Sequence, residues 1–270
     1  MVEFLSLHEA VARLPNSATL AIGGMTSHRR PVAFVSSLLA QTSRPYDLTL
    51  FTFTAGYESD LLVGAGCVSK VRTCYFGLES FGLAPMFTDM AANGRIEIIE
   101  ETEASLVSGL RAQISGVGFM PSRAWIGTDL PRLRPDVKTV SDPYTGDVLM
   151  AFPAIPVHVA VLHGLAADRF GDVLLNNNLG IDLELAYAAD TVIVTVERIV
   201  ERLERTLDGV ILPAPGADVI SEVPEGALPT SCYPLYSVDG NALMRYVERC
   251  NANEFDAYIA ELSSRFADSY

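Results

Sequence analysis

Apolar, β-branched runs alternate with helix-period segments along most of this chain, and that alternation limits the fold more than any single motif does. Thr19–Ile22 reads as a buried strand, and so do residues 48–53, 70–76, 96–100, 157–165 and 191–200. Between them lie segments of helical period. Ser6 caps the first, LHEAVARL, with Glu9 in capping-box position. Pro31 opens the second, VAFVSSLLAQ, because its fixed φ suits a first helical turn. SDLLVGAG, LAPMFTDMAANG (closed by Gly94) and EASLVSGLRAQISG (closed by Gly116) follow. Strands alternating with helices predict an α/β fold of three layers, α/β/α, around a mainly parallel sheet. Right-handed crossovers then place ligands beyond the carboxyl ends of the strands. Residues 119–147 form the longest stretch without period, and loops of such length more often bind or dock than idle. The expected organisation is one domain over residues 1–270.

The chain has 270 residues and a formal net charge of −14. That balance argues against nucleic-acid binding, which needs a basic footprint. No stretch reaches the roughly 20 apolar residues of a membrane span. The N-terminus lacks the basic start and cleavage site of a signal peptide, so a cytoplasmic location is expected. Cys67, Cys74, Cys232 and Cys250 show no C-x-x-C spacing and read as reduced thiols. His158 and His163 fall in an apolar strand without a ligand at metal spacing, so they read as structural and no metal is expected.

The first strand runs into TLAIGGMTSHRRPVAF, a strand–loop–helix unit. Glycines let a backbone approach a ligand, and amides at a helix start favour an anion. Gly23, Gly24, Thr26, Ser27, Arg29 and Arg30 are therefore the first candidates to hold a carboxylate or phosphate, with His28 as a hydrogen-bonding neighbour. The loop fits neither G-x-x-x-x-G-K-[ST] nor G-x-G-x-x-G. Read from spacing alone, it is equally an ordinary glycine turn with solvent-facing or ion-paired arginines. Glu79 and Ser80, in FGLESFG, follow another strand, as do Glu100, Glu101 and Glu103. Clustered acids can carry raised pKa values, or can simply favour the start of a helix. Ser122 and Arg123 sit in the long loop, and Asn176, Asn177 and Asn178 follow a strand as amide donors and acceptors or as a polar turn.

The Gly-Gly-Met…Arg-Arg-Pro turn resembles the glycine-pair motif in the A subunit of class I coenzyme A transferases, nearer the glutaconate branch than the succinyl or acetoacetyl branch. EASLVSGLRAQISGVGFMPSR, FPAIPVHVAVLHGLAADRFGDVLLNNN, AADTVIVTVERIV and VPEGALPTSCYPLY resemble later segments of the same family in the same order. The resemblance implies CoA exchange between an acyl-CoA and a free acid through a glutamyl thioester. It implies coenzyme A as a substrate and no tightly bound cofactor. The family's nucleophilic glutamate lies in a Ser-Glu-Asn-Gly segment of the separate B subunit, and no such segment occurs here. A homologous B subunit is thus expected as partner, in a heterodimer or heterotetramer. The chain also resembles steroid-ring-cleaving CoA hydrolases of the same fold, which would give Glu103 the catalytic role. A chain that only binds or scaffolds is the remaining alternative.

Overall fold

The computed structural model describes residues 2–204 and 209–266. Its centre is an eight-stranded sheet. In spatial order the strands are Glu3–Phe4, Val219–Glu222, Ala189–Val196, Val157–Gly164, Thr19–Ile22, Leu48–Ala55, Val68–Phe76 and Glu97–Glu100. Every neighbouring pair is parallel. From Thr19–Ile22 the strands Leu48–Ala55, Val68–Phe76 and Glu97–Glu100 step outward in one direction, while Glu3–Phe4 sits at the opposite edge. Those of the second half step outward from Val157–Gly164 in the other, so the order reverses between these two central strands. Such a reversal opens a crevice at the strands' carboxyl ends.

Period-two side chains divide the sheet's faces. Leu20, Ile22, Leu50, Val159, Val161 and Ile193 point into one core, with the helices Leu7–Val11, Val32–Ala40 and Tyr57–Gly64. Ala21, Phe51, Ala160, Leu162, Val192 and Val194 point into the other, against Glu103–Ile114 and Asp182–Ala188. Strands buried on both faces read as continuous apolar runs, which is why these were legible. The expected three-layer α/β/α arrangement stands. Among the described residues no helix is long and apolar enough to cross a membrane.

Residues 119–147 are not the loop their lack of period suggests. Phe119–Ser122 and Lys138–Ser141 flank Val148–Pro153 in a three-stranded antiparallel sheet, with a short helix at Leu130–Leu133. Four-residue strands are too short to show alternation, and their pairing partner lies further along the chain. A four-stranded sheet of Ile199–Val200, Ala166–Asp168, Val173–Asn176 and Gly209–Leu212 also has no counterpart in the sequence reading.

Glu58, Ser59 and Asp60 occupy one helix and are all fully buried. Asp60 accepts from the Phe87 amide (2.7 Å) and the Met86 amide (3.2 Å), at the start of the helix Pro85–Ala92, and from the Tyr246 hydroxyl (2.6 Å). It thereby joins three helices. Burial outweighs these donors and pushes the Asp60 carboxyl up from 3.8 to about 6. The folded state therefore keeps a proton that the unfolded chain has already lost. Stability from this group is complete below about pH 4 and is lost as the pH rises through about 6. Denaturant titrations of wild type and Asp60→Asn should show the wild-type advantage largest at pH 4 and reduced at pH 7. A difference that stays flat across that range contradicts the assignment.

Candidate active site

The loop after Thr19–Ile22 lies at the strand-order reversal, and its backbone is almost wholly committed to the protein itself. The Gly23 amide donates to Val161 O (3.0 Å) and the Gly24 amide to Asp182 Oδ1 (2.7 Å). Met25 and His28 exchange amide–carbonyl bonds of 3.0 and 2.7 Å. Thr26 N donates to Thr54 Oγ1 (3.0 Å) and Arg29 N to Ser231 O (2.6 Å). Gly24 has φ +78°, and a Cβ there would lie 2.5 Å from Arg29 O, so this position requires glycine. The expectation that Gly23, Gly24 and the amides of this loop hold an anion is therefore corrected. From Gly23 to Arg30, among the described residues, the amide of Ser27 alone lacks an intramolecular acceptor.

The two arginines do not reach outward. Both are fully buried. Arg29 donates to His163 O (2.6 Å), Asn178 O (3.0 Å) and Asn176 Oδ1 (3.1 Å), and pairs with Asp182. Arg30 donates to Gly24 O (3.0 Å), Thr52 Oγ1 (3.2 Å) and Glu58 Oε1 (2.6 Å). A guanidinium fully buried with its charge neutralised inside the protein cannot also clamp a ligand; even Arg30 Nε, which has no partner among the described residues, is closed off from any cavity. Their expected contact with substrate gives way to a structural role. Arg29 binds the second half of the sheet and Arg30 the first, so the loop is held from both sides.

Two cavities flank this loop. One, of about 870 Å³, lies beyond the ends of the first-half strands and is walled by Thr26, Cys74, Tyr75, Glu79, Glu100, Glu101 and Glu103. Three separate candidate stretches of the sequence meet there. Glu101 is spent on structure: Arg72 Nη1 and Arg134 Nη1 each donate to its Oε1 at 2.7 Å. Glu103 is the first residue of the helix Glu103–Ile114, behind the N-cap Thr102, where the helix dipole favours a carboxylate. The Trp125 indole donates to Thr102 Oγ1 (2.9 Å) and fixes that cap. Glu79, Glu100 and Glu103 form no ion pair among the described residues. Burial, and then the Glu103 carboxylate, push the Cys74 thiol up to about 11, so it stays protonated and is no nucleophile at neutral pH.

The other cavity, of about 1080 Å³, is bordered by His28, Asn176, Asn177, Asn178, Ser231 and the segment Tyr233 to Val238. His28 Nδ1 shares a hydrogen bond with Ser231 Oγ (2.7 Å). Asn176 lies on the wall, but its carboxamide accepts from Arg29 and donates to Tyr233 O (3.0 Å). Three further candidates lie outside both walls. Ser80 belongs to an exposed single turn of 3₁₀-helix, Glu79–Phe81. Ser122 ends a strand of the three-stranded sheet, and Arg123, just after it, pairs with Asp147 in solvent. Their expected reach to a ligand within this chain is corrected on that ground.

His158 is structural and accepts from the Thr19 amide (2.9 Å). His163 has neighbours that spacing does not reveal. Its Nε2 lies 2.8 Å from Glu197 Oε1 and its Nδ1 2.8 Å from Thr195 Oγ1, and Glu197 and Cys232 group with it within 4.8 Å. Burial holds the His163 imidazole below its usual pKa, so it is neutral. Nε2–H then donates to Glu197 and Nδ1 accepts from Thr195. Glu197 also accepts from the Tyr236 hydroxyl and the Glu225 amide (2.6 Å), tying the second cavity's loop to the sheet. Hydrogen bonding accounts for this group without a metal.

Residues 4–222 match the family model described as coenzyme A transferase. The chain belongs to that family. Its relatives place it among the A subunits of the class I enzymes. It is 36% identical to the A subunit of 3-oxoadipate CoA-transferase from Pseudomonas knackmussii, over 97% of this chain and 93% of that one. It is 32% identical to the IpdA subunit of the cholesterol ring-cleaving hydrolase from Rhodococcus jostii, over 98% and 93%. The crystal structure of the decarboxylase AibA/AibB superimposes with a TM-score of 0.89 at 32% identity, covering 97% of this chain and 98% of that one. Glutaconate coenzyme A-transferase from Acidaminococcus fermentans gives 0.85 at 26%, covering 96% and 87%. Relatives named as subunits imply that this coenzyme A transferase chain also has a partner chain.

Sequence reasoning on this transferase chain missed Thr54, Cys74 and Tyr75. The rule that ligands gather at the carboxyl ends of strands could have found all three, which lie at the ends of Leu48–Ala55 and Val68–Phe76. It also missed Glu58 and Asp182, the arginines' counterions, for which the sequence carries no signal. Removing Arg29 leaves Asp182 buried and unpaired, which costs roughly 3–5 kcal/mol. Arg29→Met should therefore lower the unfolding free energy in urea by about that amount, while Arg123→Met changes it little. Equal effects would contradict the structural role of Arg29.

Proposed function

We propose that this chain forms one wall of a CoA-transferase active site, and that the partner chain supplies the nucleophilic carboxylate. The partner is a homologous B subunit, paired with this chain in a heterodimer or in a dimer of such pairs. One observation carries the reading. The 870 Å³ cavity gathers Thr26, Glu79, Glu100 and Glu103 at the carboxyl ends of the strands, and among the described residues none of these carboxylates has an ion-pair partner. A free acid entering it would add one more negative charge to a wall whose nearby arginines, Arg72 and Arg134, are already held by Glu101. Anions leave water at tolerable cost only when paired, so on this reading the partner chain brings a cation to the cavity alongside its carboxylate.

The reaction balances as two exchanges. The partner's carboxylate attacks the thioester carbonyl of the acyl-CoA and expels the CoA thiolate. That thiolate attacks the glutamyl carbonyl of the resulting anhydride, which gives the glutamyl-CoA thioester and frees the first acid. The acceptor acid repeats the sequence in reverse. The Thr26 hydroxyl, on the cavity wall, is this chain's donor for the oxyanion that develops at each step.

A second reading has its own support. Glu103 presents a carboxylate to the cavity without a cation or hydrogen-bond partner among the described residues, which suits a general base that activates water. The relative from Rhodococcus jostii, a ring-cleaving hydrolase, points the same way. Assays of the purified two-chain complex against a panel of acyl-CoA esters, with and without acceptor acid, separate the readings. Transfer predicts acceptor-dependent turnover that Glu103→Gln lowers by less than about tenfold, whereas a general base is worth roughly 10²–10⁴-fold. This chain alone should form no hydroxylamine-sensitive thioester. A thioester on the isolated chain would overturn the placement of the nucleophile on the partner.

A further inference from the structure

Among the described residues eight non-glycine positions have a positive φ, and two of them, Thr26 (+41°) and Glu79 (+54°), line the acidic cavity. Thr26 is the one β-branched residue of the eight, the type for which this conformation is a genuine outlier. Its place in the chain explains the φ. Met25 and His28 exchange their backbone hydrogen bonds, so Thr26 and Ser27 are the central pair of a two-residue hairpin turn. A positive φ at the first of the pair alone is the pattern that ordinarily selects glycine there. Threonine stands in its place. Outliers of this kind persist only where the surroundings impose them, and they cluster at functional sites. What threonine adds is a hydroxyl. Thr26 is only 4% exposed, yet its hydroxyl has no hydrogen-bond partner among the described residues. A nearly buried donor that the protein leaves unspent, on a cavity wall, is open to a ligand.

The end of the neighbouring strand Leu48–Ala55 imposes the conformation in two ways. Thr54, which lines the same cavity, accepts from the Thr26 amide at its Oγ1 (3.0 Å). Gly56, just past the strand, lies against the Thr26 carbonyl, and a Cβ there would sit 2.2 Å from Thr26 O. Its φ of −137° makes no demand for glycine, so the close approach does. The strand end is itself held. The Thr54 carbonyl accepts from Thr52 Oγ1 (3.4 Å), which accepts in turn from Arg30 Nη2 (3.2 Å). Resting on the reading that the Thr26 hydroxyl stabilises the oxyanion, we infer that Thr54 is the positioning residue for that hydroxyl. Thr54 holds the Thr26 amide, Gly56 admits the Thr26 carbonyl, and the Thr26 hydroxyl is left on the wall where the reacting carbonyl enters. Thr54 acts through Thr26 and not on the substrate. A donor fixed in this way needs no reorganisation when charge develops, which is what makes such a donor effective.

The test uses the two-chain complex with the acyl-CoA ester and acceptor acid that turn over fastest in the panel. Thr26→Val removes the donor and should lower kcat by roughly 10²-fold with KM little changed. Thr54→Val keeps the shape of the side chain and removes the acceptor. It should lower kcat by about tenfold, again with KM little changed. Without substrate, it should also speed deuterium exchange of the Thr26 amide by about tenfold or more. Thr54→Ser, which retains the oxygen, should restore both. If valine disturbs assembly on gel filtration, Thr54→Ala removes the same acceptor. Added to Thr26→Val, the Thr54 change should cost nothing further in kcat. A Thr54→Val complex with wild-type kcat would overturn the inference, and so would an unaltered Thr26 amide. Losses that multiply in the double variant would overturn it too, since a merely structural role gives independent effects. A Thr26→Val complex that turns over like wild type would instead remove the oxyanion reading on which the inference rests.

Discussion

Two buried ion pairs, Arg29 with Asp182 and Arg30 with Glu58, hold the molecule's central loop in place, and the rest of the site depends on them. The arginines are adjacent in the chain and diverge in space. Arg29 grips the ends of second-half strands through His163 and Asn176, and the helix Asp182–Ala188 through its first residue. Arg30 grips the strand Leu48–Ala55 through Thr52 and the following helix through Glu58. Charges so buried add little net stability compared with a hydrocarbon core, and removing one partner is severely destabilising. Their value here is positional. They fix a loop at the one place where the strand order reverses and a crevice must open.

Pinning the loop has a chemical consequence. With nearly all its amides committed, the loop is a rigid partition rather than an anion cradle. On one side the wall carries carboxylates at strand and helix ends; on the other it carries carboxamides, hydroxyls and aliphatic carbon. On the acidic side, Glu79, Glu100 and Glu103 have no ion-pair partner among the described residues, and relatives in the family are named as subunits.

Much of this was legible in the sequence, for a definable reason. Strands such as Thr19–Ile22 and Val157–Gly164 are buried on both faces, so their apolar runs announce a covered parallel sheet. Thr26, Glu79 and Glu103 each follow a strand in the sequence, and the structure brings them to the wall of one cavity. The direction of Arg29 and Arg30 was not legible. Their counterions lie 153 and 28 positions away, and a sequence cannot distinguish an arginine turned inward from one turned to solvent. His163 escaped for the same reason, since Glu197 is 34 positions distant. Ser122 and Arg123 were misplaced because the four-residue strand beside them has no readable period.

Hydrogen–deuterium exchange of this chain, with and without its partner, tests most directly whether the acidic cavity is a half-site. The account predicts that complex formation slows exchange around Thr26 to His28, Glu79 to Leu83 and Glu100 to Ala104. A stable complex that protects other surfaces and leaves these three segments unchanged would contradict it.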